Sequence, residues 1–291
     1  MESVLIIGAT GLLGSALVDL FPNAYYTFNT TEMKAPNSFR LDISDQDALM
    51  LLLGKVRPET VIVTAAMTDV DRCESNPAQA YRTNTSPFFT ITKYLSKTGG
   101  KIVQISTDYV FSGEVGGYRE YDRREPVNVY GKSKAEAEDI IINSSVNYAI
   151  IRTSGTFGVK ESNGKINFFL WVYKSLLSGK EMSIVKDQYY SPTLNTYLAE
   201  AIAEVYNRNI DGIIHFSSAN RISRNDFALL IAHEFTLKSN LIKPVSTAEM
   251  KWTAKRPRDS SLSVEKSAAL LEKKPLKVEE EVLLAKMQMS R

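Results

Sequence analysis

Val4-Leu-Ile-Ile-Gly-Ala-Thr-Gly-Leu-Leu-Gly14 decides how this chain is read. Its first four residues form a short, continuous apolar run rich in β-branched side chains. Such a run reads as a strand buried on both faces, the kind found in parallel sheets. Gly8, Gly11 and Gly14 follow at once, and Ser15-Ala-Leu-Val-Asp-Leu20 then takes up a helical pattern. Gly8 and Gly11 permit a tight turn and a close backbone approach to a pyrophosphate, and Gly14 lets the helix pack close to the strand. The helix N-terminus offers free N–H groups and a positive dipole end. The spacing is GxxGxxG rather than GxGxxG. A purely structural turn is the plainer alternative, but the position directly after an N-terminal strand favours a dinucleotide site.

Further strands and helices alternate from this start. Tyr25-Tyr-Thr-Phe28 reads as a strand ending at Asn29-Thr-Thr31. An acid there would hold the ribose 2′-hydroxyl of NAD and repel a 2′-phosphate. Asn29 is neutral and Lys34 is close, which leans toward NADP. Phe39-Arg-Leu41 is a short strand that would set Asp42-Ile43 beside an adenine, and residues 45–53 read as a helix. Val61–Ala66 is the next strand, with Ala65 and Ala66 small where a cofactor would cross its end. A helix starts at Asn76-Pro77, with Asn84–Phe88 in its continuation. Lys101–Ser106 is a strand leading into Ser106-Thr-Asp-Tyr-Val-Phe-Ser-Gly113, and Val146–Thr153 is another. The alternation predicts an α/β fold with a Rossmann-type, doubly wound parallel sheet. Open parallel sheets bind ligands outside the carboxyl ends of their strands, so the glycine loop, Ala65-Ala66, Thr107 and Tyr130 should converge there.

Tyr130 opens a second informative stretch, Tyr130-Gly-Lys-Ser-Lys134, at the start of a helical pattern. Residues four apart share a helix face, so Tyr130 and Lys134 point the same way. A nearby ammonium favours a phenolate and lowers the tyrosine pKa, which would make Tyr130 a proton donor usable near neutral pH. Taken alone, the pair is more simply a surface Tyr/Lys pair.

Beyond residue 155 the alternation loosens. Residues 167–177 are apolar nearly all round and predict a buried helix. Residues 187–193 are turn-like, 194–206 helical and 212–216 a strand. Ser223 is a good helix N-cap, 255–262 a basic loop and 276–289 a helix. The expected organisation is a dinucleotide-binding domain over 1–155, with about 193–217 returning to it. Residues 156–192 and 218–291 would form a smaller, interleaved substrate-binding lobe.

Composition narrows the function classes. The 291 residues are 44% hydrophobic and 23% charged with a net charge of +2, which gives no reason to invoke nucleic acid or an anionic membrane. Cys73 is the only cysteine and His215 and His233 the only histidines. Neither a disulfide nor a cysteine- or histidine-rich metal site is expected, and a reducing compartment fits. Asp71 and Glu74, one helical turn apart, read as a solvated face rather than a metal site. Met1-Glu2-Ser3 carries no basic leader, and no run approaches the roughly 18 apolar residues of a membrane span. The cytoplasm is the expected location.

Six segments in register resemble the dTDP-4-dehydrorhamnose reductase family of the extended short-chain dehydrogenase/reductases. They are Ala65–Glu74, Ser106–Gly113, Pro126–Lys134, Arg152-Thr-Ser154, Asp187–Thr193 and Arg256–Leu262, and they stand alongside the shared glycine loop. The resemblance implies NADPH, with NADH also open, and a nucleotide-linked sugar substrate. It implies Tyr130 as the acid, Lys134 as its electrostatic partner and ribose ligand, and Thr107 as the hydroxyl polarising the keto oxygen. Gly8, Thr10, Gly11, Leu12 and Leu13 would lie at the pyrophosphate, Asn29, Asp42 and Ile43 toward the adenosine, and Ala65, Ala66 and Met67 along the cofactor. Asp108, Tyr109, Gln188 and Arg256 would face the sugar nucleotide. Two positions depart from the pattern. An aromatic residue often stands two places after Arg-Thr, where this chain has Gly155, and Tyr190 takes the usual glycine of Asp-Gln-x-Gly-x-Pro-Thr. Some members form dimers that bind magnesium through glutamates. Ser15 stands just after Gly14 here, so no metal is carried over and a homodimer is left open. The rival readings are a non-catalytic regulatory subunit resembling that of methionine adenosyltransferase, and another 4-keto-sugar reductase or epimerase.

Overall fold

Seven short runs pair into one parallel sheet in the order β3-β2-β1-β4-β5-β6-β9. The computed structural model describes residues 3–162 and 164–290, so Met1 and Glu2 of the N-terminal reading lie outside it. The strands up to the second lobe are β1 (Val4–Ile7), β2 (Tyr25–Phe28), β3 (Ser38–Arg40), β4 (Thr60–Val63), β5 (Lys101–Thr107) and β6 (Asn147–Thr153). Then come β7 (Met182–Val185), β8 (Tyr189–Tyr190), β9 (Gly212–His215), β10 (Ile222–Ser223) and β11 (Ile242–Val245). The helices are α1 (Leu12–Leu20), α2 (Gln46–Val56), α3 (Val70–Ser75), α4 (Pro77–Asn84), α5 (Ser86–Thr98) and α6 (Val129–Ile142). They continue as α7 (Phe168–Leu177), α8 (Asn195–Asn207), α9 (Arg224–Glu234), α10 (Glu265–Leu270) and α11 (Val278–Met289).

Successive residues of a strand face opposite sides of the sheet, and β1 shows why its sequence is apolar throughout. Val4 and Ile6 pack with Leu17 of α1 and Ile202 of α8, whereas Leu5 and Ile7 pack with Leu53 of α2, Ile91 of α5 and Ile141 of α6. Both faces are covered, as the run predicted. A third core, with Phe157, Phe169, Ile184, Tyr190, Phe227 and Val282, joins α7, α9 and α11 to the small sheets β7/β11 and β8/β10. Helix α8 and strand β9 return to the main sheet between these pieces.

Three expectations are corrected. The segment Asn84–Phe88 is a break rather than a continuation: Pro87 cannot donate an intrahelical hydrogen bond, and a new helix starts at Ser86. Strand β4 ends at Val63, because the Thr64 hydroxyl bonds the carbonyls of Ile7 and Gly8 (3.0 and 3.1 Å) and turns the chain. Helix α7 is not buried all round, since Trp171 and Leu177 face outward. Among the described residues, no helix is long and apolar enough to cross a membrane.

Candidate active site

The strand order reverses between β1 and β4, and the glycine loop lies at that switch point. Gly8 has φ +97°, and a Cβ there would stand 2.7 Å from the Ala65 nitrogen. At Gly14 a Cβ would come within 2.1 Å of the Gly8 carbonyl oxygen. Both positions therefore need glycine for close approach, whereas Gly11 has an ordinary φ of −72°. Side chains of Asp45, Asp69, Asn128, Asn167 and Ser223 cap helices α2, α3, α6, α7 and α9. Helix α1, by contrast, begins at Gly11 with no side-chain cap. Helices α4, α5, α8 and α10 lack one too, but α1 alone opens at the glycine turn of the switch point, where free N–H groups suit a diphosphate. The loop is braced from the far side of the chain: Asn195 donates to the Leu12 carbonyl and Ser162 to that of Thr10, each at 2.8 Å.

Other predicted cofactor residues surround this corner. Asn29 is exposed just beyond β2, and Arg40 pairs in register with Phe28. Arg40 adds an exposed cation that the sequence reading left out. Asp42 is exposed and accepts from the Ser44 N–H and hydroxyl, while Ile43 is buried. Ala65, Ala66 and Met67 are partly buried along the end of β4. Met67 is tied to α6 through Asn84, which accepts from the Met67 N–H (2.8 Å) and donates to Ser133 (3.0 Å).

Thr107 ends β5 and accepts from the Tyr109 N–H at 3.2 Å, so its hydroxyl is fixed at the sheet edge. Helix α6 docks against this turn through Gly131, where a Cβ would meet the Tyr109 carbonyl oxygen at 2.1 Å. Asn128 caps α6 and also donates to the Lys255 carbonyl, and Glu74 accepts from the Val129 N–H. These contacts place Tyr130 beside Thr107, with the Tyr109 ring 5.8 Å from its own in an edge-on arrangement. Part of Tyr130 faces solvent, but burial of the phenol pushes its pKa up, with Thr107 acting in the opposite direction. Lys134 is buried and donates to the Ile105 carbonyl at 2.7 Å. Burial lowers its pKa to about 8, against the pull of Glu138, so it is mostly charged at neutral pH. The expectation that Lys134 brings the Tyr130 pKa down is not met in the chain alone: burial dominates both groups, and the ammonium is committed to a carbonyl.

Behind Lys134 the same helix is locked by charge. Glu138 and Arg152 are 0% and 1% exposed and form a two-pronged ion pair, with Arg152 Nη2 at 2.7 Å. Ser106 donates to Glu138 at 2.5 Å, and Arg152 reaches His215 at 3.2 Å and the Glu120 carbonyl at 3.0 Å. His215 is held neutral, its pKa lowered to about 3 by burial and by Arg152.

The second lobe meets the edge at Asp108. This buried carboxyl accepts from Thr107 (3.0 Å), Ser154 (2.7 Å) and Ser260 (2.5 Å), and burial raises its pKa despite those bonds. Gln188 is buried, donating to the Pro257 carbonyl and accepting from Arg224 Nε at 2.7 Å. Arg224 was not singled out from sequence. It stacks 4.6 Å from the Tyr190 ring and 5.3 Å from that of Phe168, and it pairs with the Tyr109 hydroxyl. Burial opposes its charge, but Tyr190, Tyr109 and Asp108 more than offset that and its pKa is raised. Arg256 is engaged by Asp71 (2.9 Å) and the Ala254 carbonyl (3.1 Å) and stacks on Trp252. Asp71 and Glu74 are therefore clamps on the 254–256 loop and on α6, not a solvated face. Cys73 is fully buried, and burial pushes its thiol up to about 11. The two departures noted in sequence meet in space: the Tyr190 ring lies where a residue-155 side chain would begin.

A doubly wound sheet with an open glycine-loop helix and a Thr107/Tyr130/Lys134 set at its carboxyl edge defines a nicotinamide-dependent oxidoreductase of the extended short-chain dehydrogenase/reductase class. Residues 1–289 match the model of the RmlD substrate binding domain, and the chain belongs to that family. It is 34% identical to the spore coat polysaccharide biosynthesis protein SpsK of Bacillus subtilis over 90% of this chain and 89% of that one. It is 32% identical to the dTDP-4-dehydrorhamnose reductase of Aggregatibacter actinomycetemcomitans, covering 91% and 92% of the two chains. A solved dTDP-4-dehydrorhamnose reductase from Bacillus anthracis, in complex with NADP, superposes with a TM-score of 0.88 at 30% identity over 99% of each chain.

Proposed function

We propose that the chain reduces a keto group on a nucleotide-linked sugar with NADPH, the substrate being dTDP-4-dehydrorhamnose and the product dTDP-rhamnose. The observation that carries this is the meeting of Thr107 and Tyr130 at the end of β5, with Lys134 charged one turn below. Bound NADPH supplies the hydride that reduces the keto carbon. Thr107 turns its one hydroxyl proton from Asp108 to the oxygen on which charge develops, and Tyr130 delivers the proton that completes the alcohol. The α1 N-terminus with Thr10, Gly11, Leu12 and Leu13 takes the diphosphate. Asn29, Asp42 and Ile43 take the adenosine, and Lys34 and Arg40 favour a 2′-phosphate over a free hydroxyl. Ala65, Ala66 and Met67 flank the nicotinamide half, and Lys134 reaches its ribose. The substrate lies between the sheet edge, through Asp108 and Tyr109, and the second lobe, through Gln188 and Arg256. Arg224 joins them, because no carboxylate forms an ion pair with it among the described residues, and a diphosphate would complete it.

The test is NADPH oxidation against dTDP-, UDP- and GDP-linked 4-keto sugars, with NADH in parallel. Oxidation with dTDP-4-dehydrorhamnose is expected. Flat traces across the panel would sink the reading, and capture of a synthetase partner without turnover would favour a regulatory subunit. A sugar inverted without net NADPH consumption would favour an epimerase. Tyr130→Phe should lower turnover about 10²–10⁴-fold and leave NADPH binding, read by fluorescence titration, nearly unchanged.

A further inference from the structure

Tyr190 is 3% exposed, and its hydroxyl has no hydrogen-bond partner. Buried hydroxyls are seldom left so, because the unmet group was fully solvated before folding. Nothing lets this one turn away. Strand β8 is paired on one side to β10, with Tyr190 opposite Ile222, and bridged on the other through Tyr189 to Asp259. The Ser191 N–H is held by Ser154, and Thr193 donates to the Ser154 carbonyl. The ring is wedged against Gly155, whose φ is +46° and whose absent Cβ would stand 2.3 and 2.4 Å from the Tyr190 ring edge. Glycine at 155 and tyrosine at 190 thus depend on one another. Arg224 covers the ring face, and the hydroxyl lies within electrostatic reach of Arg224, Tyr109 and Asp108. Tyr109 in turn packs edge-on to Tyr130.

We propose that Tyr190 is a specificity-determining residue whose fixed hydroxyl hydrogen-bonds a hydroxyl of the substrate's sugar ring, beside the Arg224 guanidinium. This rests on the ligand being a nucleotide-linked sugar, but not on its being reduced. Arg224 lies over the ring and is itself partly exposed, so a sugar that displaces the Arg224 side chain would meet the phenol. A rigid phenol there selects for the sugar rather than the nucleotide, because a site built to pair a substrate hydroxyl disfavours a ligand lacking it.

The experiment is calorimetric titration of the wild type and Tyr190→Phe with dTDP-glucose and with dTDP, together with thermal melts. The variant should bind dTDP-glucose about three- to tenfold more weakly, the range of one lost neutral hydrogen bond, and bind dTDP as the wild type does. It should melt no lower than the wild type, since the fold makes no use of the hydroxyl. Equal loss on both ligands, no loss on dTDP-glucose, or no binding of dTDP-glucose by the wild type would overturn the proposal. Flat NADPH traces combined with the dTDP-glucose difference would remove the reductase reading and leave Tyr190 standing.

Discussion

Arg152 and Arg224 both lie against an aromatic face near the carboxyl end of the sheet, yet their surroundings differ. Arg152, over Phe111, spends its nitrogens on Glu138, His215 and the Glu120 carbonyl. Arg224, over Tyr190, meets a glutamine and a tyrosine, and the nearby Asp108 is already bonded to three hydroxyls. A buried charge closed by a carboxylate fixes a helix. Arg224 is only partly buried, and among the described residues no carboxylate forms an ion pair with it, which is the opening that the proposed ligand would fill. The first arrangement holds Lys134 and Tyr130 in register with β5, and the second reaches Tyr130 only through the Tyr109 ring.

The contrast breaks most sharply at Glu138. Glu138→Ala leaves Arg152 charged in the interior, and losing one partner of a buried pair costs about 3–5 kcal/mol. Denaturant unfolding should show a loss of that size. A loss under about 1 kcal/mol, the scale of a surface pair, would mean that the pair does not anchor α6.

A second break lies at the helix docking point. Gly131→Ala puts a Cβ 2.1 Å from the Tyr109 carbonyl oxygen. Backbone cannot yield as a side chain can, so α6 must move away from the 108–110 turn. Overpacking of this kind costs about 1–3 kcal/mol, and turnover should fall with it because Tyr130 moves relative to Thr107. Gly54→Ala is the control: it sits inside α2 with nothing within 4 Å of its Cβ, and should gain about 0.5–1 kcal/mol. Equal melting of the two variants would remove the docking argument.

What could be seen in the sequence follows from how local each signal is. The β1–glycine loop–α1 order, and the four-residue step from Tyr130 to Lys134, are set within one or two turns of chain, so periodicity and spacing exposed them. Gly131 drew no reading of its own, because the atom that demands glycine belongs to Tyr109 on another element. Asp71 and Glu74 looked solvated because their partners lie 183 and 55 residues away. Arg224 drew no reading beside the Ser223 cap. Nothing local tells that its neighbours are Gln188, Tyr190 and Tyr109. The strands β7 and β11 were missed because each is four residues long and they pair across much of the second lobe.

Glu281 sharpens the comparison with the smallest expected change, because it carries the same mark as Tyr190 but sits on α11 against the start of α8. Its Oε1 is buried without a partner, while Oε2 accepts from the Leu194 N–H at the start of α8. Here a proton, rather than a ligand, resolves the strain on the group: burial pushes its pKa from 4.5 up to about 8. Between those values the folded chain holds a proton that the unfolded chain has released. Stability from this group is therefore complete below the ordinary carboxylate range and declines as pH rises toward 8. The decline is at most about 1.4 kcal/mol per pH unit for one proton. Glu281→Gln cannot titrate, so its melting temperature should match the wild type near the acid end of the window and decline less steeply above it. Parallel melting curves from pH 5 to pH 8 would show that Glu281 is charged in the fold. An unpartnered buried oxygen would then have no protonic explanation in this lobe, and the case for reading the Tyr190 hydroxyl as a ligand contact would have to rest on its titration with dTDP-glucose alone.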